Sequence, residues 1–228
     1  MKRLCTYPLA VAVFMVAFHV ERAPIDKTSH AVVISLQEAH ATIADTLEAM
    51  TEKVLGDPSA PVTLIEYASL TCGHCGNFHN NVLPSIQQRF IETKKVKLIY
   101  RDFPLDLYAV RASMLARCSG NERFFHFLKV LYQQQPIWTR AEDPLVALVR
   151  IANVGGINGD DFQRCVGNKG LEDAILQERK DGEKAYRINA TPTLIIRVNG
   201  NDTKYEGPVT VSDLGIALEE AWKKSQGR

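Results

Sequence analysis

The chain has 228 residues, 46% hydrophobic and 23% charged, with 14 glycines and 10 prolines. That suits one substantial globular domain with room for an insertion, and excludes a disordered chain, a collagen and a multi-span membrane protein. Lysine and arginine number 27 against 26 aspartate and glutamate, net +1, so no global basic field points to nucleic acid.

Lys2 and Arg3 precede an uncharged stretch from Leu4 to Val20 whose apolar centre runs from Leu9 to Phe18. A basic start and a short apolar core form the pattern of an export signal, shorter than the roughly 20 apolar residues of a spanning helix. Residues 1–20 are read as a signal peptide or an N-terminal anchor, although Phe18, His19 and Val20 offer no clean small-residue cleavage site. Losing this segment takes the formal charge from +1 to −1 and removes Cys5. Cys72, Cys75, Cys118 and Cys165 remain, an even set that suits an oxidising compartment.

Residues 21–55 form an N-terminal extension in which 29–55 predicts one amphipathic helix. Leu36, Ala39, Ile43, Leu47, Met50 and Val54 recur every three or four positions and share a face. That face is expected to pack on the body of the domain; pairing between chains into a homo-oligomer is the alternative. Gly56 to Pro61 breaks the helix, and Val62–Tyr67 predicts a strand. A helix follows from about Cys72 to Phe90, kinked at Pro84, and then a strand, Val96–Tyr100, parallel to the first through a right-handed crossover.

From Tyr108 to about Gly182 the pattern is helical, with helices expected at 108–118, 121–134, 143–153, 160–166 and 169–181. Thr193–Val198 and Thr203–Glu206 predict two strands joined by a turn over Asn199–Asp202, and Val211–Lys224 a last helix. The fold class is α/β: a small mixed sheet, from residues 56–107 and 183–228, with an inserted helical subdomain at 108–182.

The chemistry concentrates at Cys72-Gly73-His74-Cys75. A Cys-x-x-Cys pair after a strand and at a helix start reads as a dithiol redox centre, because the first helical turn brings the two sulfurs within bonding reach. Cys72, at the helix N-terminus, is expected to be exposed and anionic, stabilised by unpaired N–H groups and the positive helix end; Cys75, one turn in, is expected to be sheltered. A protonated His74 would add positive charge. A zinc site drawing on Cys72, Cys75 and His74 or His79, completed by Cys118 and Cys165, and an inert structural disulfide are the competing readings.

Glu66 interrupts an apolar strand six positions before Cys72. If it points under the helix it becomes a buried carboxyl with a raised pKa that can exchange a proton with Cys75; otherwise it is a charge at the strand's solvent end. Thr191-Pro192-Thr193 precedes the last apolar strand, where a cis bond at Pro192 would leave the Thr191 backbone free to pair with an extended substrate; cis is a minority state for proline in general.

Together these motifs, over about residues 55–226, resemble the DsbA-like thiol:disulfide oxidoreductases of the thioredoxin superfamily, and the sheet is then thioredoxin-like. The resemblance implies that Cys72 is the nucleophile, Cys75 the resolving thiol, His74 the tuning residue, Glu66 the buried acid and Thr191-Pro192 the cis-proline loop. It implies a periplasmic enzyme that oxidises exported proteins with reduced cysteines, is itself reoxidised by a membrane redox partner, and needs no cofactor. Gly73-His74 departs from the Pro-His pair of the best-known periplasmic oxidant, so isomerase or reductase action is the neighbouring expectation. A thioredoxin-fold chaperone for unfolded envelope proteins is the alternative of a different class.

Cys118 and Cys165, both in the helical block, are expected to pair as a structural disulfide, with two separate buried thiols as the alternative. Phe124, Phe125, Phe127, Leu128, Leu131 and Tyr132 read as core, or in part as a substrate groove. His126 has no spaced ligand partners, and Lys94, Lys95 and Lys97 read as a solvated turn and strand edge.

Overall fold

The structure, a computed structural model, describes residues 46–227. The signal or anchor assigned to residues 1–20, and the N-terminal extension up to residue 45, lie outside the described residues. Within them, β1 (Lys53–Leu55), β2 (Val62–Ala68), β3 (Val96–Asp102), β4 (Thr193–Val198) and β5 (Asn201–Glu206) form one mixed sheet in the order β1-β3-β2-β4-β5. β2 and β3 run parallel, with Glu66 opposite Tyr100; β4 is antiparallel to β2, with Leu194 opposite Glu66.

Between β2 and β3 lies a helical rod, α1. It starts at Gly73–Asn77 and continues through a π-helical turn, Phe78–Val82, an α-helical turn, Leu83–Ile86, and a second π-helical turn, Gln87–Ile91. The first π turn answers the expected kink at Pro84. Widening the turn before proline takes the carbonyls away from its ring and from its missing N–H.

The helical block consists of α2 (Leu107–Cys118), α3 (Phe124–Gln133), α4 (Gln135–Trp138), α5 (Pro144–Val154), α6 (Gly159–Val166) and α7 (Lys169–Tyr186), and α8 (Val211–Ser225) closes the chain. This is the expected mixed sheet with a helical insertion. Val62 and Leu64 on one face of β2 pack with Phe78, Ile86 and Phe90 of α1 and with Leu214 and Leu218 of α8. Ile65 and Tyr67 on the other face pack with Ile99, Ile195 and Phe103. Among the described residues no helix is long and apolar enough to cross a membrane.

Several boundaries differ from expectation: β3 runs two residues further, to Asp102, and α7 continues past Asp181 to Tyr186. Two more differences have a plain physical cause. Residues 53–55 are a strand, not the end of a helix: Lys53, Val54 and Leu55 pair antiparallel with Tyr100, Ile99 and Leu98, and the edge of the sheet outweighs helical periodicity. The β4–β5 turn is also tighter, since Val198 already pairs with Asn201 and only Asn199 and Gly200 turn, at φ 51° and 77°. Two consecutive left-handed residues make the hairpin turn that Asn-Gly favours, and β5 gains Asn201 and Asp202.

Candidate active site

Cys72 is the N-cap of α1, held in an extended conformation at φ −77° and ψ 119°, and the Cys75 N–H points at its sulfur at 3.4 Å. Across the site the peptide bond Thr191–Pro192 is cis, and the Cys72 thiol donates to the Thr191 carbonyl at 3.3 Å. Cys72 and Cys75 are both free thiols, Cys72 partly exposed and Cys75 buried. His74 stands exposed on the first turn.

The two thiols are driven apart electrostatically. Cys72 is lowered from 9.0 to about 5, first by a hydrogen bond from the Cys75 thiol. The buried Thr191 side chain and the N–H groups of Cys75 and His74 add to this against the opposing effect of burial. Burial pushes Cys75 far up, and the neighbouring Cys72 and Glu66 charges push it further.

Glu66 is fully buried on the face of β2 beneath α1, not at the strand's solvent end. Its carboxylate oxygens lie 3.1 and 3.0 Å from His79 Nε2. The His79 ring stacks on Tyr132 with centroids 4.1 Å apart, and Tyr100 and Tyr132 join their hydroxyls at 3.1 Å. Sequence reasoning named His79 only as a zinc donor. The available signal was its place four residues after Cys75, on the same helix face, above a lone acid in an apolar strand. Among the described residues no group of His, Cys, Asp and Glu could hold a metal ion.

The sequence reading also missed Gln135. From the first turn of α4 its amide donates to the carbonyls of Leu70 and Cys72 at 2.8 and 2.9 Å. On the other side, Thr71 donates to Asp106, the N-cap of α2, at 2.6 Å. Leu105, Leu107 and Ile137, all exposed, sit on the elements these two contacts bring to the site. Away from it, Cys118 and Cys165 are joined by a disulfide that links α2 to α6. Phe124, Phe127, Leu128, Leu131 and Tyr132 are buried in the core of the helical block, with Phe125 partly buried against it. Lys97 reaches the Pro58 carbonyl at 2.6 Å, and Lys95 pairs with Glu219 at 3.6 Å.

A dithiol with one anionic and one sheltered sulfur, at a helix start beside a cis-proline, defines a thioredoxin-fold thiol:disulfide oxidoreductase. A family model described as thioredoxin matches residues 48–220. The crystal structure of Wolbachia pipientis alpha-DsbA1 superposes with a TM-score of 0.71 at 33% identity, over 77% of this chain and 93% of that one. BdbD from Bacillus subtilis shares the fold, with a TM-score of 0.66 and 21% identity over 75% of this chain and 93% of its own. A Rickettsia bellii protein with the provisional name protein-disulfide oxidoreductase is 26% identical over 178 residues, 78% of this chain and 67% of its own length. The chain spans between 56% and 67% of the length of three such Rickettsia relatives. The chain belongs to the DsbA-like thioredoxin family.

Proposed function

We propose that this chain is a periplasmic dithiol oxidase that passes the Cys72–Cys75 disulfide to reduced cysteine pairs of exported proteins. One observation carries the direction: the Cys72 thiolate is favoured down to about pH 5. Stabilising the reduced pair makes its disulfide the stronger oxidant. A substrate thiolate attacks the Cys72 sulfur and expels Cys75, which takes up a proton from Glu66. A second substrate thiolate then attacks the substrate sulfur of the mixed disulfide and expels Cys72 as the thiolate its surroundings favour. His74 adds its charge at the exposed end, and the Thr191 backbone beside Pro192 pairs with the extended substrate. Leu105, Leu107 and Ile137 give apolar footing to an unfolded chain.

In this reading residues 1–20 export or anchor the chain, 21–52 are an extension, the sheet with α1 and α8 carries the chemistry, and the helical block from α2 to α7 frames the substrate. The Cys118–Cys165 bond is structural, and a membrane redox partner restores the active-site disulfide. The Rickettsia names, and a Bacillus cereus relative whose provisional name is disulfide bond formation protein D, support the same chemistry.

The test compares oxidation of a reduced substrate protein, reshuffling of the same protein with scrambled disulfides, and reduction of insulin. Oxidation is expected to be fastest and to vanish in Cys72→Ser. Faster reshuffling or insulin reduction would transfer the assignment to an isomerase or a reductase. Full activity in Cys72→Ser would refute thiol chemistry and leave a chaperone.

A further inference from the structure

Glu66 is fully buried, yet a carboxylate that trades protons with Cys75 must trade them with solvent as well. His79 is placed to make that connection. Its Nε2 faces both Glu66 oxygens at 3.1 and 3.0 Å. The same residue lines a cleft of about 590 Å³ that opens between α1, β1 and α3. Its Nδ1 has no hydrogen-bond partner among the described residues. The ring is held in place by Tyr132, stacked at 4.1 Å, and by the edges of Phe78 and Tyr100, with centroids at 5.6 and 6.0 Å.

We propose that His79 relays the Cys75 proton between Glu66 and water in this cleft. The proposal rests on the reading of Glu66 as the proton partner of Cys75. When the pair becomes oxidised, Cys75 attacks the Cys72 sulfur of a mixed disulfide, expels the other thiolate and gives its proton to Glu66. Throughout, Nε2 keeps its N–H toward the Glu66 oxygens. As the carboxylate takes the Cys75 proton, the imidazolium paired with it releases its Nδ1 proton to water in the cleft. When the pair becomes reduced, Glu66 protonates the departing Cys75 thiolate, and water protonates Nδ1 as the carboxylate charge returns. One proton leaves in one half of the cycle and one enters in the other, so the ring resets without turning over.

The groups that face this path are Glu66 from β2, Tyr100 from β3 and Tyr132 from α3, with Glu92, Glu122, His126 and Lys129 along the cleft. The arrangement makes His79 a positioning residue for the proton, acting through Glu66.

The experiment is a single turnover of the reduced protein with oxidised glutathione, quenched in acid so that the mixed disulfide and the closed disulfide are counted separately. His79→Gln and His79→Asn are expected to leave the first step unchanged and to slow the second at least about 10-fold near neutral pH, with added imidazole restoring part of the rate. Glu66→Gln is expected to slow the same step. If Glu66→Gln slows it and folded His79 variants do not, the relay is overturned and Glu66 keeps its role. If neither slows it, or only the His79 variants do, the path through Glu66 is wrong. Should both His79 variants fail to fold, the wild-type second step in heavy water decides: equal rates in the two solvents overturn the relay.

Discussion

Gln135 holds the backbone of Cys72 from the helical insertion, donating one amide group to Leu70 and Cys72 carbonyls at 2.8 and 2.9 Å. The sheet domain supplies the thiol and the insertion fixes where it sits. The fit is close: a Cβ on Gly76 would clash with the Gln135 Oε1.

Gln135→Ala should therefore cost about 1–3 kcal/mol by leaving the Leu70 carbonyl unpaired in the interior. It should also loosen the loop that carries Cys72. Denaturant unfolding of the reduced protein measures the first effect, and the alkylation rate of Cys72 at saturating pH the second. An unchanged midpoint would show that water replaces the amide.

The low pKa of Cys72 depends first on the Cys75 thiol. Cys75→Ala removes that donor and keeps the helix N–H groups. Thiolate absorbance, with a midpoint near pH 5 in the wild type, should then shift upward by a unit or more. A midpoint that stays near 5 would assign the effect to the backbone and to Thr191 instead.

What the sequence made legible follows from what is local. Cys72-Gly73-His74-Cys75 between a strand and a helix announces its geometry, because spacing alone puts Cys72 at the N-cap and Cys75 one turn in. The strand at Val62–Tyr67 is likewise written in β-prone apolar bulk, buried on both faces, and the hairpin in its Asn199-Gly200 pair, although the turn closes more tightly than expected. Gln135 was not legible. Its role depends on two carbonyls 65 and 63 positions away, and nothing in its neighbours marks it. Lys53–Leu55 was misread because three residues of edge strand carry too little pattern to outweigh the helical periodicity that precedes them. His79 lay between these cases, on the right helix face but without a visible partner until β2 was folded beneath it.

The redox potential should report the same asymmetry through its pH dependence. Above about pH 5 reduction leaves Cys72 a thiolate and adds a proton only at Cys75. Two electrons with one proton lower the potential by roughly 30 mV per pH unit, and two electrons with two protons by about twice that. The slope should steepen below pH 5. Linkage gives the sign for stability. The Cys72 pKa is depressed in the folded state, so its contribution to the reduced form is complete above the ordinary value of 9.0 and is lost as pH falls through about 5. A uniform steep slope between pH 6 and 8 would contradict the thiolate at Cys72.

The buried charges joining the sheet to the insertion offer a test independent of the redox site. Arg117, 1% exposed, binds Asp102 at 2.5 Å and Glu178 at 2.8 Å, and donates to the Ala49 carbonyl at 3.0 Å. Its planar fork serves three acceptors from different elements, a geometry that a lysine ammonium reproduces poorly. Arg117→Ala leaves Asp102 buried without a cation and should cost about 3–5 kcal/mol. Arg117→Lys should recover part of that loss by keeping the charge. Unfolding midpoints of the two variants in the oxidised protein, where the Cys118–Cys165 bond still ties α2 to α6, separate lost charge from lost tether. A loss under about 1 kcal/mol in Arg117→Ala would mean that Asp102 reaches water or a proton once its partner is gone, and that the junction is held by apolar packing instead.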